Sequence, residues 1–391
     1  MTKKEKYKKH DAQAVRFASR RLAALRQART AGKLDAVLIS APKDVRYLSG
    51  FAGEDSLLLI AKSWALLITD GRFSEQAPGQ CPGVEVHTRT GPMAPAVARV
   101  LRGRAVRQLG LQGEHVTLSM RSALAEALPS RKLRTLPAIT KKLRAIKDSG
   151  ELKLIRQAIR IAQSAFLELT ANGPGQLIGR TEGQVAAELE YLIRQAGAQG
   201  AAFDIIVAAG ANSSKPHHTP GATKIKFDQP VLFDWGAKVG GYCSDLTRVV
   251  FPGKIPPKFR EIYDIVRQAQ QAGIDAVRAS VRCSTPDAAA RAVIEQAGYG
   301  EQFTHGLGHG IGLDIHEAPG LARKSAGGAG EVLRAGMVVT VEPGIYLPGL
   351  GGVRIEDDVL VTATGSRRLT RLGRRIQETE YGIQDSGFRI Q

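Results

Sequence analysis

Two stretches of this chain each fold back on themselves around a glycine-containing turn, and each carries one acidic residue on either arm. In VLFDWGAKVGGYCSDLTRVVF, apolar and β-branched runs flank the turn signal KVGG at 238–241, the pattern of a β-hairpin. The midpoint between Asp234 and Asp245 falls at the centre of that turn. A simple hairpin therefore sets the two aspartates directly opposite each other on one face, with Cβ atoms about 5 Å apart. In MVVTVEPGIYLPGLGGVRIEDDVLVT, Glu342 and Glu356 flank PGLGG (348–352) in the same way, and Pro343 is expected to add a bulge that blurs the register. Paired carboxylates amid apolar neighbours repel one another and are costly to desolvate, so each pair demands something positive between its members.

A third stretch, HGLGHGIGLDIHE (305–317), holds three of the eight histidines. It is followed by no Walker lysine and does not read GxGxxG, so it is not a phosphate loop. One acidic pair alone is equally well a surface feature of an exposed strand. Two pairs with a histidine cluster form a hard, oxygen-dominated donor set. That set suits two divalent cations, Mn²⁺ with Co²⁺ or Zn²⁺ as substitutes, better than a thiolate zinc site.

The 391 residues exceed one ordinary core and point to two domains. Over 1–140, the apolar runs LDAVLIS, SLLLIA, WALLIT and VRQLGLQ alternate with helical patterns such as APAVARVLRG and LSMRSALAEAL, which predicts a small α/β domain. From 141 to 391, four amphipathic helices interleave with strand-like runs, which predicts an α+β domain with antiparallel hairpins. Its first two helices carry capping-box signals, Asp148 with Glu151 and Thr181 with Gln184, and the fourth is expected to start at Thr285 as N-cap. Two helix pairs interleaved with two hairpin regions suggest an internal duplication.

The net charge of +18 is concentrated: residues 1–34 hold eleven Lys and Arg against Glu5 and Asp11, and Arg367, Arg368, Arg371, Arg374 and Arg375 cluster near the end. Such tails can bind nucleic acid, but a solubilising basic helical extension over 1–30 is the reading adopted, with nucleic acid not expected as a partner. The N-terminus lacks the apolar core of a secretory signal, and no apolar run is long enough to span a membrane. Three scattered cysteines (Cys81, Cys243, Cys283) fit free thiols in a reducing, cytoplasmic setting.

The motifs KDVRYLSGFAG, LLITDGRF, ANSSKPHH, VLFDWGA, YCSDLTR, HGLGHGIGLDIHE, TVEPGIY and VRIEDD, in this order, resemble those of the proline-specific pita-bread metallopeptidases, aminopeptidase P and prolidase. The resemblance covers most of the chain. It implies a creatinase/prolidase-type non-catalytic N-terminal domain and a pita-bread catalytic domain. It further implies that Asp234, Asp245, His309, Glu342 and Glu356 bind two metal ions, with Asp245 and Glu356 bridging them. His217, seventeen residues before Asp234, and His316 would line the substrate site as catalytic groups, with His305 in the same pocket and Tyr346 beside it. Arg354 would orient the bridging Glu356 and assist proton movement.

The implied reaction is hydrolysis of an Xaa-Pro bond in proline-containing peptides by a hydroxide shared between the two ions. Glu342 would move the proton and His217 or His316 would stabilise the oxyanion. The family also implies a homodimer. Creatinase, on the same fold, lacks the metal ligands; this chain retains all five. The alternatives are a non-peptidase enzyme on the same scaffold and a non-catalytic peptide- or nucleic-acid-binding protein. Among neighbouring residues, His218 is read as structural or outer-pocket and Cys243 as a packed small hydrophobe. Asp357 is expected to face away from the site, and Asp358 to cap or pair with a basic neighbour.

Overall fold

The computed structural model describes residues 21–375 and the backbone of 377–378, apart from 24, 28, 31, 137 and 324–330. Most of the basic extension expected over 1–30 lies outside the described residues; within it, 21–23, 25–27 and 29–30 are helical. The chain divides into two compact units between Arg144 and Ala145. No described helix is long and apolar enough to cross a membrane.

The first unit is built on a six-stranded mixed sheet of β1 (Ala36–Ile39), β2 (Leu57–Ala61), β3 (Ala65–Asp70), β4 (Glu85–Arg89), β5 (Gln108–Gln112) and β6 (Lys132–Leu136), in the order β4-β3-β2-β1-β5-β6. β1, β2, β3 and β5 come from the four apolar runs. They occupy the middle of the sheet, where β1 and β2 are buried along their whole length. β4 and β6 form the edges. Their sequences, EVHTR and KLRTL, are largely exposed or half-exposed, so no apolar run marks them. Leu38, Leu59, Ile68, Val97 and Leu109 belong to the core of this unit.

The second unit begins with the helix pair α1 (Ser149–Leu169) and α2 (Glu182–Gln195). Both start on the capping boxes read from the sequence. Asp148 accepts the N–H groups of Gly150 and Glu151 at 2.9 Å, and Glu151 reaches back to the Asp148 N–H at 3.0 Å. Thr181 and Gln184 do the same for α2. The helices bury Ala158, Ala162, Phe166, Val185 and Leu189 against Phe233 and Trp235 in one core. A second pair, α3 (Pro257–Ala276) and α4 (Ser284–Gln296), packs Ile262, Val266 and Ile294 into another. α4 starts earlier than expected: Cys283 is its N-cap, and Thr285 and Pro286 lie inside the first turn. Proline is tolerated throughout that turn because its N–H groups have no partner within the helix.

Strands fill the space between the helix pairs: β7 (Gly200–Ala201), β8 (Ile206–Ala209), β9 (Val231–Trp235), β10 (Ala237–Val239), β11 (Tyr242–Cys243) and β12 (Leu246–Phe251) after the first, then β13 (Gly308–Gly310), β14 (Glu317–Leu321), β15 (Val338–Val341), β16 (Gly344–Leu347), β17 (Gly351–Arg354), β18 (Asp357–Val361) and β19 (Ser366–Arg368) after the second, with β20 (Gln377–Glu378) last. One sheet runs β20-β12-β9-β8 and another β14-β13-β15-β18-β19. They meet at a bridge between Thr247 and Glu356. Each helix pair is thus followed by its own sheet, antiparallel throughout except where β20 pairs with β12 in parallel.

The first hairpin corrects the expected register. Its turn is the dipeptide Gly240–Gly241, with φ of 56° and 82°, left-handed values that suit a two-residue hairpin loop. Val239 pairs with Tyr242 and Lys238 with Cys243, and farther on Asp234 pairs with Thr247. Asp234 therefore faces Thr247 rather than Asp245. The pairing is displaced by two residues, which keeps both aspartates on one face but makes them diagonal neighbours. In the second hairpin the register is continuous: Leu347 pairs with Gly351, Gly344 with Arg354 and Val341 with Asp357. Pro343 introduces no bulge. It interrupts the ladder between β15 and β16, and the Glu356 N–H turns to the Thr247 carbonyl at 3.2 Å.

Candidate metal centre and substrate pocket

Both hairpins and β13 deliver their polar side chains to one cavity of about 650 Å³. Asp234, Asp245, His309, Glu342 and Glu356 line it, as do His217, His305, His316 and Arg354. Tyr346 is not in its wall; it lies buried behind His305. Asp245, His309 and Glu356 converge most closely, each offering one donor atom within 4.8 Å of the others'. Glu342 joins them through an Oε1 at 3.3 Å from His309 Nε2, with Asp245 Oδ2 at 3.6 Å from the same nitrogen. Asp234 is bound to the guanidinium of Arg354 at 2.6 Å.

The chemistry of these groups asks for a cation. His309 Nδ1 lies 3.1 Å from the carbonyl of Gly310, which only accepts, so Nδ1 carries the proton and the Nε2 lone pair points at the carboxylates. Burial, reinforced by His316, pushes this imidazole down to about 4, which keeps it neutral and available as a ligand. Burial raises the carboxyl groups of Asp234, Asp245, Glu342 and Glu356, and the charges of their neighbours raise Asp245 and Glu356 further. Glu342 is pushed up to about 7. Asp234 Oδ1 and Glu356 Oε1 are buried and accept no hydrogen bond. Acceptors crowded together without donors fit divalent ions, which supply the missing positive charge.

Supporting groups hold each donor. Thr247 donates to Glu356 Oε2 at 2.7 Å, and Thr340 donates to Glu342 Oε1 at 3.1 Å while accepting the His309 N–H at 3.0 Å. Sequence reasoning passed over both threonines. Their signal was spacing: each stands two residues from an acidic residue on the same strand face, Thr247 from Asp245 and Thr340 from Glu342. Arg354 differs from the sequence reading. It donates to Asp234 Oδ2, to Thr247 Oγ1 at 3.0 Å and to Tyr346 at 2.8 Å, so it reaches Glu356 only through Thr247.

The roles expected of Asp357 and Asp358 are exchanged in part. Asp357 faces away from the site, as expected, and it is the one paired with a basic neighbour, Arg248 at 2.7 Å. Asp358 instead accepts the backbone N–H of Asp245 at 3.1 Å, which fixes the strand that carries that aspartate.

His305 has its Nδ1 2.8 Å from the Gly306 carbonyl and its Nε2 2.9 Å from the Tyr346 hydroxyl. Arg354 already donates to that hydroxyl, so the phenol proton goes to His305, a neutral acceptor pushed down to about 4 chiefly by burial. His316 packs edge-on against His309, with ring centroids 4.2 Å apart. His218 bonds Glu182 at 2.8 Å. Cys243 is buried, and none of the three cysteines is in a disulfide.

The glycines of HGLGHGIG serve strand packing. A Cβ on Gly308 would stand 2.2 Å from the Thr340 carbonyl oxygen, and one on Gly310 would stand 2.3 Å from that of Ala318. They let β13 lie flush between its two neighbours, which is what aims His309.

Residues 153–363 match the model of metallopeptidase family M24, and residues 21–146 match the creatinase/prolidase N-terminal domain. The chain is 38% identical over 338 residues to the uncharacterized peptidase YqhT of Bacillus subtilis, covering 86% of this chain and 94% of that one. Among solved structures, an Xaa-Pro dipeptidase from Bacillus anthracis superposes with a TM-score of 0.87 at 39% identity, over 92% of this chain and 99% of the other. An X-Pro aminopeptidase from Thermotoga maritima gives 0.83 at 36% identity, over 90% and 100%.

Proposed function

Because this chain belongs to metallopeptidase family M24 and pairs a creatinase-type N-terminal domain with a pita-bread catalytic domain, we propose that it hydrolyses the bond before proline in Xaa-Pro peptides, with two divalent cations as cofactors. The observation that carries the reading is the donor set itself: a neutral His309 Nε2 amid four carboxyl groups, those of Asp245 and Glu356 buried and those of Asp234 and Glu342 largely so, with an oxygen of Asp234 and one of Glu356 without a partner. Asp234, Asp245, His309, Glu342 and Glu356 would hold the ions, with Mn²⁺ the expected metal. When bound, they supply Lewis acidity, which lowers the pKa of a water and polarises a carbonyl.

The chain's own groups account for the rest. Glu342, whose Oε1 lies 3.3 Å from His309 Nε2 at the edge of the donor set, would take a proton from water and return it to the leaving nitrogen. His217 and His316, on the pocket wall, would donate to the developing oxyanion. Phe203, Ile206 and Ile315 give the same cavity apolar wall suited to a pyrrolidine ring. A prolyl amide has no N–H, so recognition by shape replaces recognition of that donor. Relatives described as Xaa-Pro dipeptidase and X-Pro aminopeptidase support this substrate class. A homodimer belongs to the same proposal and is read by sedimentation.

The test is purified protein with Mn²⁺ against Gly-Pro, Xaa-Pro-Xaa tripeptides and a longer Xaa-Pro peptide. Metal-dependent cleavage before proline is expected, with restriction to the dipeptide marking a dipeptidase. Full metal occupancy with no cleavage of any of the three would overturn the proposal. Asp245→Ala should lose both bound metal and activity.

A further inference from the structure

Outside the cavity, one buried carboxylate collects four donors from a single loop. Glu182, in the first turn of α2, is fully buried. Its Oε1 accepts the Ala209 N–H at 2.8 Å and the Asn212 amide at 3.0 Å. Its Oε2 accepts His218 at 2.8 Å and the Gly221 N–H at 3.2 Å. These donors bracket the segment 209–221, whose middle supplies Pro216, His217, His218 and Thr219 to the pocket wall. The segment has little regular structure of its own: a short 3-10 turn at Gly210–Ser214, then no further helix or strand before β9. Burial alone would raise the Glu182 carboxyl, but the donors outweigh it and hold it below the ordinary range, so the loop is tied to a full negative charge. Such charge-assisted bonds are about twice as strong as neutral ones.

We propose that Glu182 is the positioning residue of the His217 wall: it touches neither metal site nor substrate, and it sets the rate of the reaction by fixing where His217 stands. The role rests on the peptidase reading for its kinetic consequence and on the fold alone for its structural one. A misplacement of about 1 Å in a reacting group costs about 100-fold in rate, and loss of Glu182 removes the bonds that hold the stretch around His217 between Asn212 and Gly221.

The two consequences are tested separately in the intact, metal-loaded protein. Hydrogen–deuterium exchange compares wild type with Glu182→Ala and Glu182→Gln. In Glu182→Ala, exchange across 209–221 should rise at least about tenfold while β12 and β15 stay protected. Glutamine keeps one acceptor oxygen for Ala209 and Asn212 but none for Gly221, so it should loosen only the 218–221 end. This pair of variants also covers the case in which alanine fails to fold. Unchanged exchange in 209–221, or a rise spread over the whole unit, would overturn the proposal whether or not the protein cleaves prolyl peptides.

For kinetics, a double-mutant cycle with His217→Ala distinguishes positioning from general damage. Glu182→Ala, or Glu182→Gln in its place if alanine fails to fold, should lower kcat/KM at least about tenfold when His217 is present and less than about twofold when it is absent. Equal losses in both backgrounds would mean that Glu182 does not act through His217. Absence of activity in the wild type would instead fail the peptidase reading and leave the exchange result to decide the structural claim.

Discussion

At the scale of single residues, the site depends on hydroxyls as much as on charges. Thr247 is fully buried; its hydroxyl donates to Glu356 and accepts from Arg354, while its backbone carbonyl accepts the Glu356 N–H. One residue thus joins the two hairpins at the candidate metal centre. Thr247→Val preserves shape and removes only the hydroxyl, so Glu356 loses its one side-chain donor among the described residues and Arg354 one acceptor. Loss of such a supporting bond costs about 10–100-fold in metal affinity, and Mn²⁺ titration calorimetry should show a weakening of that order with the fold unchanged. An affinity equal to wild type would mean that the hydroxyl does not hold the ligand. The acidic residues themselves stood out in the sequence because charges inside apolar strands are costly and therefore conspicuous. The threonines did not, because threonine is an ordinary strand residue and its hydroxyl reveals a role only once its partner is known.

At the scale of elements, hairpin faces were legible and hairpin registers only partly so. Period-two alternation survives a slip of two residues, so Asp234 and Asp245 share a face even though the Gly240–Gly241 turn shifted their pairing. Pro343 was read as a bulge because it cannot donate to a ladder; the chain instead divides the ladder in two and keeps its count. The edge strands β4 and β6 gave no apolar signal, since half of each faces solvent. The glycines around His309 were visible, but their reason was tertiary: they permit close approach of β14 and β15 rather than of a ligand. Gly310→Ala should therefore destabilise the protein by about 2 kcal/mol or more, as overpacking of a tight contact does, and weaken metal binding with it. Gly320→Ala, on the facing strand with open space around its Cβ position, is the matched control. Urea denaturation that ranks the two variants equal would refute the packing account.

At the scale of the whole molecule, two units follow from length and from the change of pattern near residue 140, and the division between Arg144 and Ala145 lies just ahead of the Asp148 capping box that opens α1. What no local pattern reveals is how the fold stores the charge of its centre. Asp234, Asp245, Glu342 and Glu356 all have carboxyl groups raised by burial, so without metal the native state holds protons that the unfolded chain has already released. Stability from Glu342 is complete below its ordinary value of 4.5 and is lost as pH climbs through about 7, and the other three add in the same direction. Carboxylates held low, such as Asp35, Asp70, Glu182 and Glu261, act oppositely only toward acid, and the imidazoles held low by burial, His305, His309 and His316, act oppositely only below the ordinary histidine value of 6.5, so the raised carboxyl groups set the slope in the window between about pH 6.5 and about pH 8. The thermal midpoint of protein stripped with EDTA should therefore fall across that window. With Mn²⁺ the fall should vanish, because the ions bind the ionised form and gain affinity as the protons leave. Glu342→Gln removes one contributor and should flatten the metal-free slope. A metal-free midpoint that stays level or rises between those pH values would show that the cluster is ionised and compensated by groups other than a bound cation.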